Sequence, residues 1–272
     1  MVLETTEQLQ ASAAPGERTR TAPDDGRGSR LRTLPEQIVE QLGMAIVEGR
    51  YAEGERIVEQ KLSDDYGVSR GPVRDALRAL ETRGLVRIYP RRGAYAVPLS
   101  LDLIADMFNI RARLLGLAAS YLTRLQPAAG LADLKARADA LERAVGDPNT
   151  GSMEFAMANG RLGAALYRHS GSDYLADFLR DQGDRSIWGF IWRQRPLDFM
   201  TPERRRESAA IWTEVSRAVH AGDEAAAERA VWDIMYTSRD QVIATLSQVR
   251  SETVSRHKVI YGSPAAAAGR QR

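Results

Sequence analysis

Three arginines recur at intervals of four residues after Ser69, at positions 70, 74 and 78. Side chains four residues apart lie on one face of an α-helix, so this spacing would align three guanidinium groups along a single edge. A guanidinium can donate two parallel hydrogen bonds, either to O6 and N7 of guanine or to a phosphate group. The chemistry that this pattern offers is recognition of double-stranded DNA.

Positive charge is concentrated around these arginines. Between Ser69 and Pro98 the chain has seven arginines and two acidic residues, a net charge of +5, whereas the net charge of all 272 residues is +2. A local excess of positive charge attracts the phosphate backbone of nucleic acids. Because a solvated protein surface can carry the same charge, the prediction depends on the elements that hold these side chains.

Helical periodicity predicts three helices around the basic segment. They begin near Pro35, at Glu59 and after Ser69, and each is followed by a glycine that would end it. Ser69 is a suitable N-cap for the third helix, because its hydroxyl can accept a hydrogen bond from a backbone N–H of the first turn. The buried stripe of that helix is predicted to consist of Val73, Ala76, Leu77 and Leu80.

Two runs rich in β-branched and aromatic residues follow, at 85–89 and 94–97. They predict a hairpin whose loop carries Arg91 and Arg92 and is made possible by Gly93. The order of helix, helix, turn, helix and hairpin is typical of a winged helix-turn-helix, whose recognition helix lies in the major groove. The two loop arginines would then lie at the tip of the wing, against the minor groove or a phosphate.

The N-terminal end of a recognition helix faces the base edges, which assigns roles to the side chains there. Arg74 is the candidate for base contact, Arg70 and the Ser69 hydroxyl could reach a base or a phosphate, and Gly71 lets the backbone approach the duplex closely. The full set of predicted DNA-binding residues is Ser69, Arg70, Gly71, Arg74, Arg78, Arg91, Arg92 and Gly93.

This part of the chain also resembles a known family. The sequence contains GVSR, PVRDALRALE, GLV and RRGAYAV in the order and spacing of the DNA-binding domain of the GntR family of bacterial regulators, over about residues 31–98. The resemblance implies that Arg70, Arg74 and Gly93 match positions that contact operator DNA in this family. Arg78 matches a position that is frequently basic.

The remainder of the chain is predicted to be helical almost throughout. The expected helices run over 101–125, 128–145, 152–169, 173–194, 202–220 and 223–250. The predicted fold class is therefore mainly α, with an N-terminal winged helix-turn-helix and a C-terminal antiparallel α-helical bundle. The predicted organisation is a disordered tail at 1–30, a winged helix-turn-helix domain at 31–98, an all-α effector-binding and dimerisation domain at 101–250 and a second disordered tail at 261–272.

The helical part is similar to the FCD domain of the FadR subgroup of this family. The resemblance rests on FNIRARLLGLAASYLT, HSGSDYL and RESAAIWTEVSRAVHAGDEAAAERAV, in that order. It implies a homodimer and a small-molecule effector, and many members of the subgroup hold a divalent metal through one Asp and three His. In this chain the four ligand positions fall at Asn159, Gly163, Trp212 and Ile234, so we predict neither a metal nor another cofactor.

The residues that replace the metal ligands predict a different kind of effector site. Glycine removes volume, whereas tryptophan and isoleucine add apolar surface, which favours an apolar or aromatic acid as the ligand. Arg111 matches an arginine position that faces the effector in the subgroup, although an ion pair between helices explains it equally well. The complete set of candidate effector-binding residues is Arg111, Asn159, Gly163, Arg185, Trp188, Trp212 and Ile234.

Together these features predict a ligand-responsive repressor that binds a palindromic operator as a homodimer. Two alternatives stay open: a regulator that binds DNA without an effector, its ligand domain being vestigial, and a regulator of fatty-acid metabolism that binds an acyl-CoA. An enzyme is not expected, because the chain has no cysteine, no His–carboxylate dyad and no glycine-rich phosphate loop. The polar N-terminus and the lack of a long apolar run predict a cytoplasmic protein with no membrane partner.

Overall fold

The computed structural model describes residues 33–52, 54–97, 99–185, 188–189 and 197–259. Residues 33–97 form a small domain, called the head here. It contains three helices and three short strands: α1 (Leu34–Val47), β1 (Arg56–Ile57), α2 (Glu59–Tyr66), α3 (Arg70–Thr82), β2 (Val86–Tyr89) and β3 (Gly93–Ala96).

The helices of the head begin and end where the local sequence directs them. The backbone N–H of Thr33 donates to the Glu36 carboxylate at 2.8 Å, as in a capping box, and α1 begins at the next residue. Gly67 ends α2 in the left-handed conformation, with φ of 62°. The predicted stripe of α3 is confirmed, because its four apolar side chains are at most 1% exposed in the core of the head.

The three strands form one antiparallel sheet in the order β1-β3-β2. Strands β2 and β3 are the predicted hairpin, with Val86 paired to Ala96 and Tyr89 to Gly93. Strand β1 is not among the elements predicted from the sequence. A strand of two residues is too short to display the alternation by which strands are recognised, so only its pairing with β3 reveals it.

Residues 99–259 form the helical domain, called the body. Its helices are α4 (Leu101–Leu125), α5 (Ala128–Gly146), α6 (Ser152–Arg168), α7 (Asp173–Arg185), α8 (Pro202–His220) and α9 (Glu224–Arg250), followed by a short 3-10 helix (Arg256–Lys258). The predicted fold class is confirmed. The second half of the helix predicted at 173–194 lies largely outside the described residues, as do the predicted tails. None of the described helices combines the length and the apolar character that a membrane span requires.

Helices α4 and α9 pack closely enough to exclude a side chain between them. A Cβ atom at Gly116 of α4 would lie 2.4 Å from Nε1 of Trp232, a separation that real Cβ atoms do not tolerate. The guanidinium of Arg113 stacks over the same indole at 4.2 Å. A glycine is therefore required where the two longest helices of the body meet.

A buried ion pair fixes the chain before α8. Asp198 is 1% exposed and accepts hydrogen bonds from Nε and Nη2 of Arg204 at 2.8 and 3.2 Å. The same guanidinium contacts the Ser238 hydroxyl of α9 at 3.1 Å. Breaking such a buried pair leaves an uncompensated charge, so both partners are needed together.

The segment after α9, residues 251–259, is called the strap because it lies along the first turns of α4. The Asp102 carboxylate accepts two hydrogen bonds of 2.6 Å from the backbone N–H and the hydroxyl of Ser255. These bonds hold the pKa of Asp102 below its usual value. Lys258 forms an ion pair with Asp106 at 2.6 Å, and Asn109 donates to the Lys258 carbonyl at 2.9 Å.

Arg250, at the end of α9, joins the strap to the boundary between head and body. Its Nη1 donates to the Leu99 carbonyl, and its side chain lies against Gly49 of the head, where a Cβ atom would come within 2.9 Å of Nε. Next to it, Glu252 accepts a hydrogen bond of 2.9 Å from the Leu101 backbone at the start of α4. The end of the body thus contacts the point at which the head is attached.

Candidate nucleic-acid interface and effector site

The recognition edge of α3 is created by amphipathic periodicity. Because one face of the helix is buried in the head, the opposite face points to solvent, and Ser69, Arg70, Gly71, Arg74 and Arg78 are all exposed there. Ser69 occupies the N-cap position with extended backbone angles, but its hydroxyl makes no capping hydrogen bond. The hydroxyl and the first-turn N–H groups are thus directed at the surface, where a helix N-terminus favours an anion.

Two side chains at the start of α2 hold the recognition arginines. Gln60 accepts hydrogen bonds through Oε1 from Nε of Arg70 at 3.0 Å and from Nη2 of the same residue. Glu59 accepts from Nε of Arg74 at 2.9 Å, and the Arg74 side chain stays 58% exposed. The sequence interpretation missed both partners, because nothing in their spacing to α3 indicates contact until the helix-turn-helix is folded.

Gly71 is not required by packing within the chain. A Cβ atom at this position would meet only the Ser69 hydroxyl, at 3.9 Å, which is ordinary contact. The absence of a side chain instead leaves the surface between Arg70 and Arg74 open to a molecule approaching from outside. Arg78, one turn beyond Arg74, is exposed and forms no ion pair with any of the described residues.

The wing presents Arg91 and Arg92 on a tight turn. Arg91 has φ of 63° and Gly93 has φ of 95°, so two residues of the turn, one on each side of Arg92, adopt the left-handed region, which glycine enters without strain at the second position. Both arginines are exposed. Arg56 of β1 lies beside Gly93, with its guanidinium 3.6 Å from where a Cβ atom would be, and adds a third positive charge that the sequence interpretation missed.

Two of the candidate effector residues contact each other in the body. Oδ1 of Asn159 accepts a hydrogen bond of 2.6 Å from Nε1 of Trp212 and one of 2.8 Å from the Ser208 hydroxyl. Trp212 is 2% exposed. The amide oxygen of Asn159 is therefore engaged by donors from α8.

The four positions that hold a metal in many relatives do not fit one here. They supply an amide, a glycine, an indole and an alkyl group, and the described residues contain no cluster of three His, Asp or Glu side chains that could hold a metal ion. At Gly163 a Cβ atom would meet only Leu115, at 3.9 Å, while Ile234 is buried in the core. An amide, a glycine, an indole and an alkyl group do not together make a set of donors that suits a divalent cation.

Arg111 and Trp188 form a second cluster in the body. The guanidinium lies over the indole ring at 4.9 Å, and Phe108 packs edge-on against the same ring at 4.7 Å between ring centres. Burial lowers the pKa of Arg111 to about 10, and no carboxylate of the described residues lies within ion-pair distance of it. The alternative interpretation of Arg111, an ion pair between helices, therefore finds no partner in the described part of the chain.

The remaining candidate and the cavities add little to this picture. The backbone of Arg185 ends α7, and its side chain lies outside the described part. An open groove of about 820 Å³ lies on the head between α1 and α2, and a cavity of about 200 Å³ lies at the boundary between head and body. Neither is lined by a candidate effector residue.

The three-helix head with a basic helix and an arginine-tipped hairpin defines a winged helix-turn-helix protein. Residues 34–96 match the family of bacterial regulatory proteins named gntR, and residues 106–237 match the FCD domain. The chain belongs to the GntR family and carries an FCD domain after its DNA-binding head.

Individual relatives agree with this membership. The chain is 29% identical over 148 residues to the uncharacterized HTH-type transcriptional regulator YdhC of Bacillus subtilis, covering 54% of this chain and 66% of that one. It is 40% identical over 81 residues to the uncharacterized regulator BphR of Paraburkholderia xenovorans, covering 30% and 33%. The matched part thus spans between one third and two thirds of these curated relatives.

A solved structure has a similar fold. Lar, which controls the expression of the Listeria monocytogenes agr system, superimposes with a TM-score of 0.63 over 79% of this chain and 98% of its own length. The two sequences are 19% identical over this region, so the similarity concerns the fold alone.

Proposed function

We propose that this protein is a transcription regulator in the cytoplasm that represses its target genes by binding a palindromic operator as a homodimer. The observation that carries this function is the exposed arginine edge of α3. There Glu59 holds Arg74 and Gln60 holds Arg70, and both arginine side chains remain exposed to solvent. A preorganised guanidinium loses less freedom on binding than a mobile one. Repression as the direction of control agrees with the gluconate operon transcriptional repressor of Bacillus subtilis, to which the chain is 32% identical over 75 residues.

The head would read DNA through two separate elements. Arg74 contacts a base edge in the major groove, and Arg70 with the Ser69 hydroxyl contacts a base or a phosphate. Arg91 and Arg92 bind at the minor groove or the phosphates beside it, assisted by Arg56. The contacts from α3 determine which sequence is bound, whereas those from the wing mainly determine how tightly.

The body would bind a small organic anion without a metal. Arg111 is the side chain that favours such a ligand, since a partly buried guanidinium with no acidic partner among the described residues gains most from a carboxylate. Trp188 and Phe108 supply an aromatic wall beside it. An effector with a carboxylate on an apolar or aromatic body satisfies both features, and an effector that prefers one arrangement of the dimer would change operator affinity accordingly.

One observation favours a second candidate, a regulator that binds DNA without an effector. The hydrogen bonds among Asn159, Ser208 and Trp212 close the region that holds the ligand in many relatives. This candidate predicts no ligand-induced change in melting temperature. A panel of aromatic acids, aliphatic acids and acyl-CoA molecules in a thermal-shift assay separates the two possibilities.

The DNA-binding function is tested with Arg74→Ala in a gel-shift titration on the DNA upstream of the protein's own gene. Losing one guanidinium–base contact costs about 1–3 kcal/mol, which is about a 5- to 150-fold loss of affinity. Arg161→Ala, which removes an exposed arginine of α6, is the matched control and should bind like the wild type. Unchanged binding by Arg74→Ala, with the fold intact by circular dichroism, would contradict the proposal.

A further inference from the structure

The strands of the head have a second face that points away from the core. Side chains alternate between the two faces of a strand, and the apolar ones turn inward. The outward positions are Arg56, Arg87, Tyr89, Gly93 and Tyr95, and they are called the outer sheet face here. Arg56, Tyr95 and Arg87 form one row across the three strands, because Tyr95 is paired with both arginines.

Positive charge dominates this surface. Two arginines of the outer sheet face and two of the turn between β2 and β3 are exposed: Arg56, Arg87, Arg91 and Arg92. None of the four forms an ion pair within the part of the chain that the structure describes. Since no carboxylate of that part is paired with them, the four guanidinium groups together attract a polyanion.

Two acidic residues next to the edge strands are bound to backbone groups. Glu55, before β1, accepts a hydrogen bond of 2.8 Å from the N–H of Ala52. Glu81, at the end of α3, accepts one of 2.7 Å from the N–H of Ile88 in β2. Both carboxylates therefore have a role in the fold that leaves the arginines of the outer sheet face available to a molecule from outside.

Two tyrosines support the arginines. The rings of Tyr89 and Tyr95 meet edge to face with 5.5 Å between their centres. The Tyr95 hydroxyl donates to the Arg92 carbonyl at 3.4 Å, which joins β3 to the turn. The arginines thus extend from a paired and stacked sheet, and groups held in this way lose less freedom on binding than groups on a mobile loop.

We infer that the outer sheet face binds the phosphate backbone of duplex DNA beyond the half-site that α3 contacts. The inference rests on the proposed function, since it takes α3 to lie in the major groove. The inner face of the sheet packs against α3 in the core of the head. The outer face is therefore turned away from the base contacts and toward the flanking DNA, and it is continuous with the wing tip.

The spacing of the arginine row fits a DNA strand. Neighbouring strands of a sheet lie about 4.8 Å apart, so the Cα atoms of Arg56 and Arg87, with β3 between them, are separated by about 10 Å. Successive phosphates of one DNA strand advance by about 3.4 Å along the helix axis. The two arginines can consequently contact separate phosphates, about three nucleotides apart.

A duplex fits this face better than a single strand. Proteins that bind single strands stack successive bases on exposed aromatic rings. Here each of the two rings is packed against the other, and Tyr95 is half-buried with its hydroxyl engaged. Little aromatic surface is left for bases, whereas four guanidinium groups are available for phosphates.

The test uses the Arg56→Ala/Arg87→Ala double variant of the full chain and the DNA upstream of the protein's own gene. Hydroxyl-radical footprinting of the wild type should show protected nucleotides at the edges of the bound segment. The double variant should lose this edge protection and keep the protection of the centre. The slope of log binding constant against log salt concentration should become shallower by about 1.8 for each bound head, because a phosphate contact contributes about 0.9.

Two further variants separate charge from structure. Arg143→Ala/Arg161→Ala removes two exposed arginines of α5 and α6, so it is matched in net charge and should give the wild-type slope and footprint. Arg56→Lys/Arg87→Lys keeps both positive charges and should retain most of the slope and the edge protection, since lysine binds a phosphate as a point charge.

The outcomes distinguish this inference from the proposed function. A wild-type slope and footprint in Arg56→Ala/Arg87→Ala would overturn the inference even where Arg74→Ala abolishes operator binding. Equal loss of protection at the centre and the edges would also overturn it, by placing the pair within the half-site. Weaker binding of a fluorescent single-stranded oligonucleotide, with duplex binding unchanged, would assign the face to single strands instead. A wild type that binds no duplex would refute the proposed function itself.

Discussion

Arg111 is the residue on which the proposed control by a ligand depends. It is stacked on Trp188, partly buried, and has no carboxylate partner among the described residues. Burial lowers its pKa to about 10, well below the ordinary value of a guanidinium. For a base, a lower pKa in the folded state means that the charged form is disfavoured by folding. This cost to stability is therefore fully present below pH 10 and is relieved only as the pH rises through 10 toward the unfolded value.

Arg111→Met should consequently stabilise the protein without ligand and remove its response to ligand. We expect the melting temperature of the unliganded variant to rise by on the order of 2–4 °C, and the shift produced by an anionic effector to disappear. Differential scanning fluorimetry of both proteins, with and without a panel of organic acids, measures both effects. A variant that melts lower and still responds to ligand would mean that Arg111 has a structural partner instead.

Glu59 is unusual because it places a negative charge beside the predicted DNA surface. Its hydrogen bond to Nε of Arg74 fixes the direction of the guanidinium fork, at the expense of repelling nearby phosphates. This contact could not be predicted from the sequence, because Glu59 and Arg74 are fifteen residues apart on different helices. The exposure of Arg70, Arg74 and Arg78 was predictable, since periodicity alone separates them from the buried stripe of α3.

Glu59→Ala should weaken discrimination while strengthening general attraction to DNA. We expect the affinity for random-sequence DNA to rise, because Arg74 is then free to contact any phosphate. The ratio of operator affinity to random-DNA affinity should therefore fall. Competition gel shifts with random DNA measure the ratio. Glu154→Ala removes an exposed acidic residue of α6 and controls for the change in net charge, so it should leave the ratio of the two affinities unchanged. An unchanged ratio in Glu59→Ala would contradict the role given to Glu59.

Among the elements, the regular helices were predictable and the irregular connections were not. Helices α2, α3 and α4 follow from periodicity, caps and glycine stops, and each lies within a residue or two of its predicted range. Strand β1 and the strap were missed, because both are defined by contacts with distant parts of the chain. The strap joins residues about 150 positions apart through polar contacts such as that between Ser255 and Asp102, which leave no local pattern.

The strap should contribute measurably to the stability of the body. A chain that ends at Arg250 loses the contacts to Asp102, Asp106 and Asn109, so its free energy of unfolding should fall and its urea midpoint should move to a lower concentration. A chain that ends at Val259 keeps these contacts and is the control. Urea denaturation compares the two, and hydrogen exchange should show faster exchange in the first turns of α4 of the shorter chain. Equal midpoints would show that the strap is dispensable.

At the scale of the whole molecule, the two-domain arrangement relates operator geometry to the proposed association of two chains. Two heads on a dimer reach half-sites that lie a whole number of helical turns apart on one face of the duplex. The head and the body could both be anticipated from the sequence as a winged helix-turn-helix and a helical bundle. The arrangement of two copies in the proposed dimer could not, because helical periodicity marks apolar positions but does not show which chain covers them.

Operator spacing should therefore matter only while the dimer is intact. Inserting five base pairs between the half-sites turns one half-site to the opposite face of the DNA, so binding by the wild type should fall to that of a single half-site. Gel shifts measure the affinity of the wild type for both DNA molecules, and a ten-base-pair insertion, which restores the helical phase, is the control. Equal affinity for the normal operator and the operator with five added base pairs would mean that the two heads bind independently.

The contact of Arg250 with Leu99 and Gly49 has a consequence for synthesis of the chain. The head is complete once residue 97 has left the ribosome, and N-terminal domains generally fold as they emerge. The body cannot close until α9 and the strap arrive about 150 residues later, because they hold the first turns of α4. A ribosome that stops before α9 would release a folded head attached to an incompletely folded body. The contacts of Arg250 with Leu99 and Gly49 form only after α9 has been synthesised.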